Sequence, residues 1–292
     1  MKSFIKIFSL VFLLLIGFQA LADNASDGDR LYKAGKYEQA MTCFMKPDAK
    51  KKPEVMNHIG YMYSHGQGVE KNEAVAFYWF HKAAELGYAK SQYNLGQYYE
   101  YGRGVPKNIK EAIKWFRKAA DQKYANAESK MGYLTVTGKG IKQDFAEAMR
   151  WYRLAAEHGD ISSYAAIGLF YAQGNGVKKD KNRAVQYYIM GAEKGDAYAQ
   201  YLLGWAYYKG FGIQPDAKQS LYWLTKAAEN GETRAMSELV NIYGLGLLGQ
   251  EEDREKAREW AEKARITRKK TGESDPEVDR RLRFFGIDPD DL

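Results

Sequence analysis

The stretch LGQYYEYGRGVPKNIKEAIKWFRKAA, Leu95–Ala120, decides the fold. Its first part places Leu95, Tyr98, Tyr99 and Gly102 on one helical face, and its second part does the same for Ala112, Trp115, Phe116, Ala119 and Ala120. Spacings of three and four residues predict two amphipathic helices. Between them Gly102-Arg103-Gly104-Val105-Pro106 ends the first helix, because glycine tolerates the left-handed conformation and proline cannot continue a helix.

The stretch recurs every 36 residues without a gap. One column reads Ile59-Gly60, Leu95-Gly96, Met131-Gly132, Ile167-Gly168, Leu203-Gly204 and Leu239-Val240. Others read Ala84, Ala120, Ala156, Ala192, Ala228, Ala264; and Trp79, Trp115, Trp151, Tyr187, Trp223. Turn glycines repeat at Gly66, Gly102, Gly138, Gly174, Gly210, Gly246, with partners two residues on from Gly68 to Gly212. One helix pair cannot bury its own apolar face, so neighbouring pairs must stack. The expected fold is all-α: a right-handed α-solenoid of stacked antiparallel helix pairs with a 36-residue period. The Gly and Ala columns let helices approach closely, and the Trp column is expected in the core.

The pattern A-x-x-W-F/Y-x-x-A-A-x-x-G, then L-G-x-x-Y and G-x-G-V, resembles the Sel-one-like repeat (SLR), a relative of the tetratricopeptide repeat. Ala112 to Gly140 carries most of it, with Thr135 in place of the Tyr. The resemblance implies a protein-binding scaffold and no catalytic chemistry. Residues 54–267 are expected to form the solenoid. Residues 23–53, with Leu31-Tyr32, Gly35, Tyr37 and Ala40, look like a tetratricopeptide-like capping hairpin. Residues 268–292 are expected to form a C-terminal capping segment, where Ser274-Asp275-Pro276 opens a helix with Val278, Leu282 and Phe285 as its apolar stripe.

The first 22 residues differ from the rest. Lys2 and Lys6, the apolar run Ile7–Phe18 and Ala20-Leu21-Ala22 follow the order of a secretory signal peptide, with cleavage after Ala22. An uncleaved anchor is the alternative, although the run is short for a membrane span. Export to the periplasm is expected, with secretion or surface display as alternatives and no stable membrane span after cleavage. Removing Lys2 and Lys6 lowers the formal charge of the chain from +7 to +5. No long basic stripe remains, which excludes a nucleic-acid binder of the usual kind. Lys50-Lys51-Lys52 and Arg268-Lys269-Lys270 are expected to be solvated ends of elements.

Catalytic and metal-binding patterns are missing. His58 and His65 lie seven residues apart on one helix, too far along its axis to share an ion, and no H-E-x-x-H occurs. Gly244-Leu245-Gly246-Leu247-Leu248-Gly249 matches a dinucleotide fingerprint but falls in the turn column after a helix rather than after a strand. Lys270-Thr271-Gly272 matches one element of penicillin-interacting enzymes, yet the mature chain has no S-x-x-K. Some SLR proteins with a disulfide in each repeat are labelled β-lactamases; this chain has one cysteine, Cys43, which is expected to be buried and inert. No metal, small-molecule cofactor or enzymatic activity is expected.

Functional expectation rests on the face of each first helix turned away from the core. In the quoted repeat that face is Lys90, Tyr93, Gln97 and Glu100, flanked by Asn94 and Tyr101. Across the repeats it carries Tyr61, Tyr93, Tyr133, Leu169, Tyr198, Tyr201, Trp205 and Tyr208. Grouped exposed aromatics mark binding surfaces, because Tyr and Trp give contact area at low rotamer cost. The expected function is an aromatic concave groove that holds a partner protein or peptide. The competing reading has neighbouring first helices packing these rings against one another. The resemblance further implies two narrower roles: a periplasmic immunity protein that neutralises a secreted antibacterial effector such as a lipase, or a secreted host-interaction factor. A cell-wall hydrolase is the remote alternative.

Overall fold

The computed structural model describes residues 23–272, 279–280, 283–284 and 286. The expected signal peptide, the Ser274–Pro276 cap and the stripe of Val278, Leu282 and Phe285 lie outside the described residues. The described chain is helical and contains no strand; fourteen α-helices run between Asn24 and Thr271. They fall into two compact units that divide after Ala127.

The first unit holds α1 (Asn24–Lys33), α2 (Tyr37–Phe44), a 3-10 turn (Ala49–Lys51), α3 (Pro53–His65), α4 (Glu73–Glu85), α5 (Ala89–Tyr101) and α6 (Ile109–Ala120). The second opens within α7 (Ala125–Thr137). It continues through α8 (Phe145–Glu157), α9 (Ser162–Gln173), α10 (Lys181–Glu193), α11 (Ala197–Lys209), α12 (Ala217–Glu229), α13 (Thr233–Gly244) and α14 (Arg254–Thr271). Adjacent helices pack as pairs: α3 on α4 and α5 on α6 in the first unit, α9 on α10, α11 on α12 and α13 on α14 in the second. Each unit is therefore a stack of helix pairs, the α-solenoid arrangement.

The glycine column is explained by approach distance. A Cβ on Gly96 would sit 2.5 Å from the Phe116 ring, and one on Gly168 2.5 Å from the Tyr188 ring. In these two pairs the second helix thus drives a ring into a notch in the first. This relocates the core. Trp79, Trp115, Trp151, Tyr187 and Trp223, expected inside, are only half-buried. Their successors Phe80, Phe116, Tyr188 and Leu224 are the buried residues. The reason is angular: consecutive helix positions differ by about 100°, so only one of the two can face the glycine notch.

The turns are built from two chemistries. Gly102 ends α5 at φ 74°, and its N–H donates to the Tyr98 carbonyl. Gly104, at φ 61°, lies so close to α4 that a Cβ would stand 2.5 Å from the Glu73 carbonyl oxygen. Then an Asn or Asp caps each second helix. The side chains of Asn72, Asn108, Asp144, Asp180 and Asp216 accept from the backbone N–H three residues on.

Buried polar residues tie pairs together. The Gln92 amide donates to the Ala84 carbonyl at 3.2 Å and accepts from Gln122 at 2.8 Å. Gln200 does the same with Ala192 at 3.1 Å and Asn230 at 2.9 Å. At the N-terminal end Asp23 caps α1 and takes the Lys52 ammonium at 2.9 Å, which holds the Asp23 carboxyl below its usual range. At the other end α14 runs on through the basic cluster. Arg268, expected to be solvated, is buried and pairs with Asp279, whereas Lys269 and Lys270 are exposed. A guanidinium is removed from water only where a carboxylate compensates it.

Candidate binding surface

The open strip of the first helices is narrower than the sequence implies. Glu100, expected on the outward face, is 1% exposed. It lies one turn after Gly96, on the stripe that receives Phe116, so α5 is buried along two stripes rather than one. What stays open in α5 is Lys90 and Tyr101, with Gln97 half-buried.

In the first unit Tyr61, 38% exposed, stacks on His65 with ring centroids 3.8 Å apart. Tyr93 is half-buried. Its ring lies 5.6 Å from Phe116 and 5.5 Å from Tyr124, and its hydroxyl accepts from the Gln97 amide at 3.2 Å. Tyr93 thus bridges two helices of the unit rather than standing free.

In the second unit the aromatic positions separate into two groups. Leu169 and Tyr198 are half-buried against one core cluster, and Tyr201 leans on two. The Tyr198 and Tyr201 rings stack at 6.1 Å, with the Arg234 guanidinium 5.1 Å above Tyr198. Burial pushes the Tyr198 hydroxyl up. These three residues rest on core clusters of the second unit. Tyr133, Trp205 and Tyr208 form the second group. Tyr133 is 48% exposed, with the Lys130 ammonium 5.2 Å from its ring. Trp205 lies 5.6 Å from Phe211, and Lys209 sits 4.1 Å over Tyr208. A cation over an aromatic face is attracted by the ring quadrupole. The strip therefore alternates aromatic faces with positive charge, a feature that a search for aromatics alone overlooks.

The four histidines keep to their own neighbours. His58 pairs with Asp29 at 3.0 Å, His81 with Glu85 at 3.4 Å and His158 with Glu128 at 2.8 Å, while His65 joins Tyr61. Burial lowers the His58 pKa against the opposing pull of Asp29. Among the described residues no group of three or more His, Cys, Asp or Glu is placed to hold a metal ion. Cys43, expected to be buried, is half-buried. No helix of the described residues is long and apolar enough to cross a membrane.

The Sel1 repeat model matches residues 53–88, 89–124, 125–160, 161–196, 197–232 and 234–265, so the chain belongs to the Sel1 repeat family. Proteins of this class serve mainly in protein–protein interaction and are generally non-catalytic scaffolds. The chain is similar to the Sel1 repeat protein from Oxalobacter formigenes, at 60% identity over 83% of this chain and 97% of that one, with a TM-score of 0.79. It is also similar to a protective antigen with an SLR fold present in uropathogenic Escherichia coli strains, at 27% identity over 90% and 68% of the two chains, with a TM-score of 0.63. An immunity protein from Pseudomonas aeruginosa shares the fold at 16% identity over 78% and 86%, with a TM-score of 0.53. No curated protein matches this chain.

Proposed function

We propose that this chain is an exported, non-enzymatic scaffold that holds a partner protein or peptide on the aromatic strip of its second unit. The observation that carries the reading is the exposed Tyr133 with the half-buried Trp205 and Tyr208, interleaved with Lys130 and Lys209. Rings of this kind give contact area with little entropy to lose, and the cations favour a partner that mixes apolar with acidic groups. Leu169, Tyr198 and Tyr201 pack on the core of the same unit, and Tyr61 and Tyr93 belong to the first unit.

Export rests on Lys2, Lys6, the apolar run and the Ala20–Ala22 site. Helix α1 begins immediately after that site with Asp23 as its cap, so cleavage there leaves the helix whole. The periplasm is the compartment we assign, with residues 23–53 and 268–292 capping a repeat body of 54–267. Neutralising a secreted effector, or engaging a host protein, would be a particular use of the same surface.

The test is a triple substitution, Tyr133→Ala with Trp205→Ala and Tyr208→Ala, read by crosslinking in the native compartment and by thermal melting. Partner capture lost at an unchanged melting temperature supports the scaffold reading. Capture that persists overturns it.

A further inference from the structure

The end of α3, the start of α4 and one face of α5 enclose a pocket of about 440 Å³ in the first unit. At its floor the buried Tyr98 hydroxyl donates to Glu73 Oε2 at 2.6 Å. Burial, together with this bond to a carboxylate, raises the Tyr98 pKa far above its ordinary 10.0, so the hydroxyl keeps its proton. Lys71 Nζ stands 3.4 Å from the other Glu73 oxygen. Arg103 lies over the Tyr101 ring at 5.2 Å, and no carboxylate pairs with it among the described residues. The stacked rings of Tyr61 and His65 form one wall.

The fold does not demand this polar set. Two periods on, in the second unit, Gln143 stands for Lys71, Phe145 for Glu73, Phe170 for Tyr98 and Asn175 for Arg103. There Phe145 and Tyr152 close on Phe170 at 6.2 and 5.8 Å. Tyr152 stands for Phe80, which packs on Tyr98 at 5.3 Å, so the second unit has a third ring, Phe145, where the first unit has the charged Glu73.

We propose that this pocket binds the carboxylate of an acidic side chain or chain end of a partner polypeptide. Lys71 and Arg103 contribute two positive charges and Glu73 one negative, a balance of +1 that matches a single carboxylate better than a phosphate dianion. A guanidinium presents paired N–H donors at the spacing of two carboxylate oxygens. The Tyr61–His65 wall accepts the flat backbone or an apolar side chain beside the carboxylate. The proposal rests on the protein-binding reading but uses the other unit, so the two fail separately.

The probe is the acetylated, amidated pentapeptide Gly-Glu-Tyr-Glu-Gly, compared by calorimetry with its Gly-Gln-Tyr-Gln-Gly counterpart. The full chain should bind the acidic peptide. The Lys71→Gln/Arg103→Gln double variant should weaken binding by roughly tenfold or more, because charge-assisted bonds are lost. Lys110→Gln, which removes an exposed charge elsewhere in the unit, should change it less than about twofold. Unchanged binding by the Tyr133→Ala/Trp205→Ala/Tyr208→Ala variant would support a site independent of the aromatic strip. Equal binding of the two peptides, equal loss in Lys110→Gln, or displacement by inorganic phosphate at the peptide's own concentration would overturn the proposal.

Discussion

His158 holds Glu128 through one ring nitrogen: its Nδ1 lies 2.9 and 2.8 Å from the two carboxylate oxygens, and the Glu128 side chain is 2% exposed. The same two repeat positions carry Gln92 with Gln122 in the first unit and Gln200 with Asn230 in the second, each an amide pair. An imidazole–carboxylate pair thus stands where neutral amides do the same work. Removing one member of a buried pair leaves the other desolvated. His158→Ala should therefore cost about 2–3 kcal/mol, the lower part of the usual range because His158 is partly exposed. The Glu128→Gln/His158→Asn double variant copies the Gln200–Asn230 pair and should regain most of that loss in urea denaturation. A double variant no more stable than His158→Ala would show that the amide pair does not fit there.

Gly96 gives a second prediction. Its absent Cβ is the notch for Phe116, at 2.5 Å, whereas the notch at Gly132 lies 3.1 Å from Tyr152. Gly96→Ala should destabilise by about 1–3 kcal/mol through overpacking, and Gly132→Ala by less. Equal melting temperatures for the two variants would contradict the notch argument.

These two cases mark how far the sequence carries. The Gly96–Phe116 contact is legible because helix-pair geometry puts a small residue opposite a large one from Gly60 to Gly204, and repetition exposes the rule, although the last row carries Val240. The Asn108 and Asp144 caps are written in the sequence as plainly, one column before each second helix. Glu100 is not legible. A helical wheel assumes one buried stripe, and a charged residue on the second stripe looks solvent-facing. The Lys71–Arg103 pocket is also hidden, since its residues belong to different turns and the space depends on what neighbouring side chains leave unfilled. Tyr133 and Tyr201 look alike in sequence, and packing alone separates the open ring from the supporting one.

His58 makes the first unit acid-sensitive. Burial lowers its pKa below the ordinary 6.5, with Asp29 pulling the other way. As pH falls through 6.5 the unfolded chain takes up this proton before the folded chain does. Stability present above 6.5 is then lost progressively until the lower folded pKa is passed. His58→Phe keeps a ring against Tyr32, whose centroid lies 5.4 Å away, and removes the titration. Melting temperatures between pH 7.5 and pH 5 should fall less steeply for this variant than for the parent chain. Parallel profiles would remove His58 from the account.

Asp196 caps α11 with a carboxylate that accepts from the Ala199 N–H at 2.6 Å, yet burial raises its pKa above the ordinary 3.8. The folded state binds this proton more readily than the unfolded one, so the group's stabilising contribution is lost as pH rises through the folded value. At neutral pH the cap therefore carries a charge that the site disfavours. Asp196→Asn keeps a cap acceptor without the charge and should hold or raise the melting temperature at pH 7. Asp196→Ala should cost about 1 kcal/mol, as loss of a cap does. A fall in melting temperature for Asp196→Asn equal to that of Asp196→Ala would mean that the charge itself stabilises α11.

The aromatic strip predicts a split between stability and binding that single substitutions reveal. Tyr201 touches two core clusters, so Tyr201→Ala removes buried ring contacts and should cost about 2–3 kcal/mol. Tyr133 is 48% exposed and should cost under about 1 kcal/mol when cut to Ala. Binding should rank the other way if Tyr133 is an anchor. Tyr133→Ala should weaken partner capture by about tenfold at unchanged melting temperature, as loss of a hot-spot ring does. Tyr201→Ala, measured well below its melting temperature, should weaken capture less. Capture that tracks melting temperature across both variants would assign the aromatic rows to folding and leave the binding surface elsewhere on the chain.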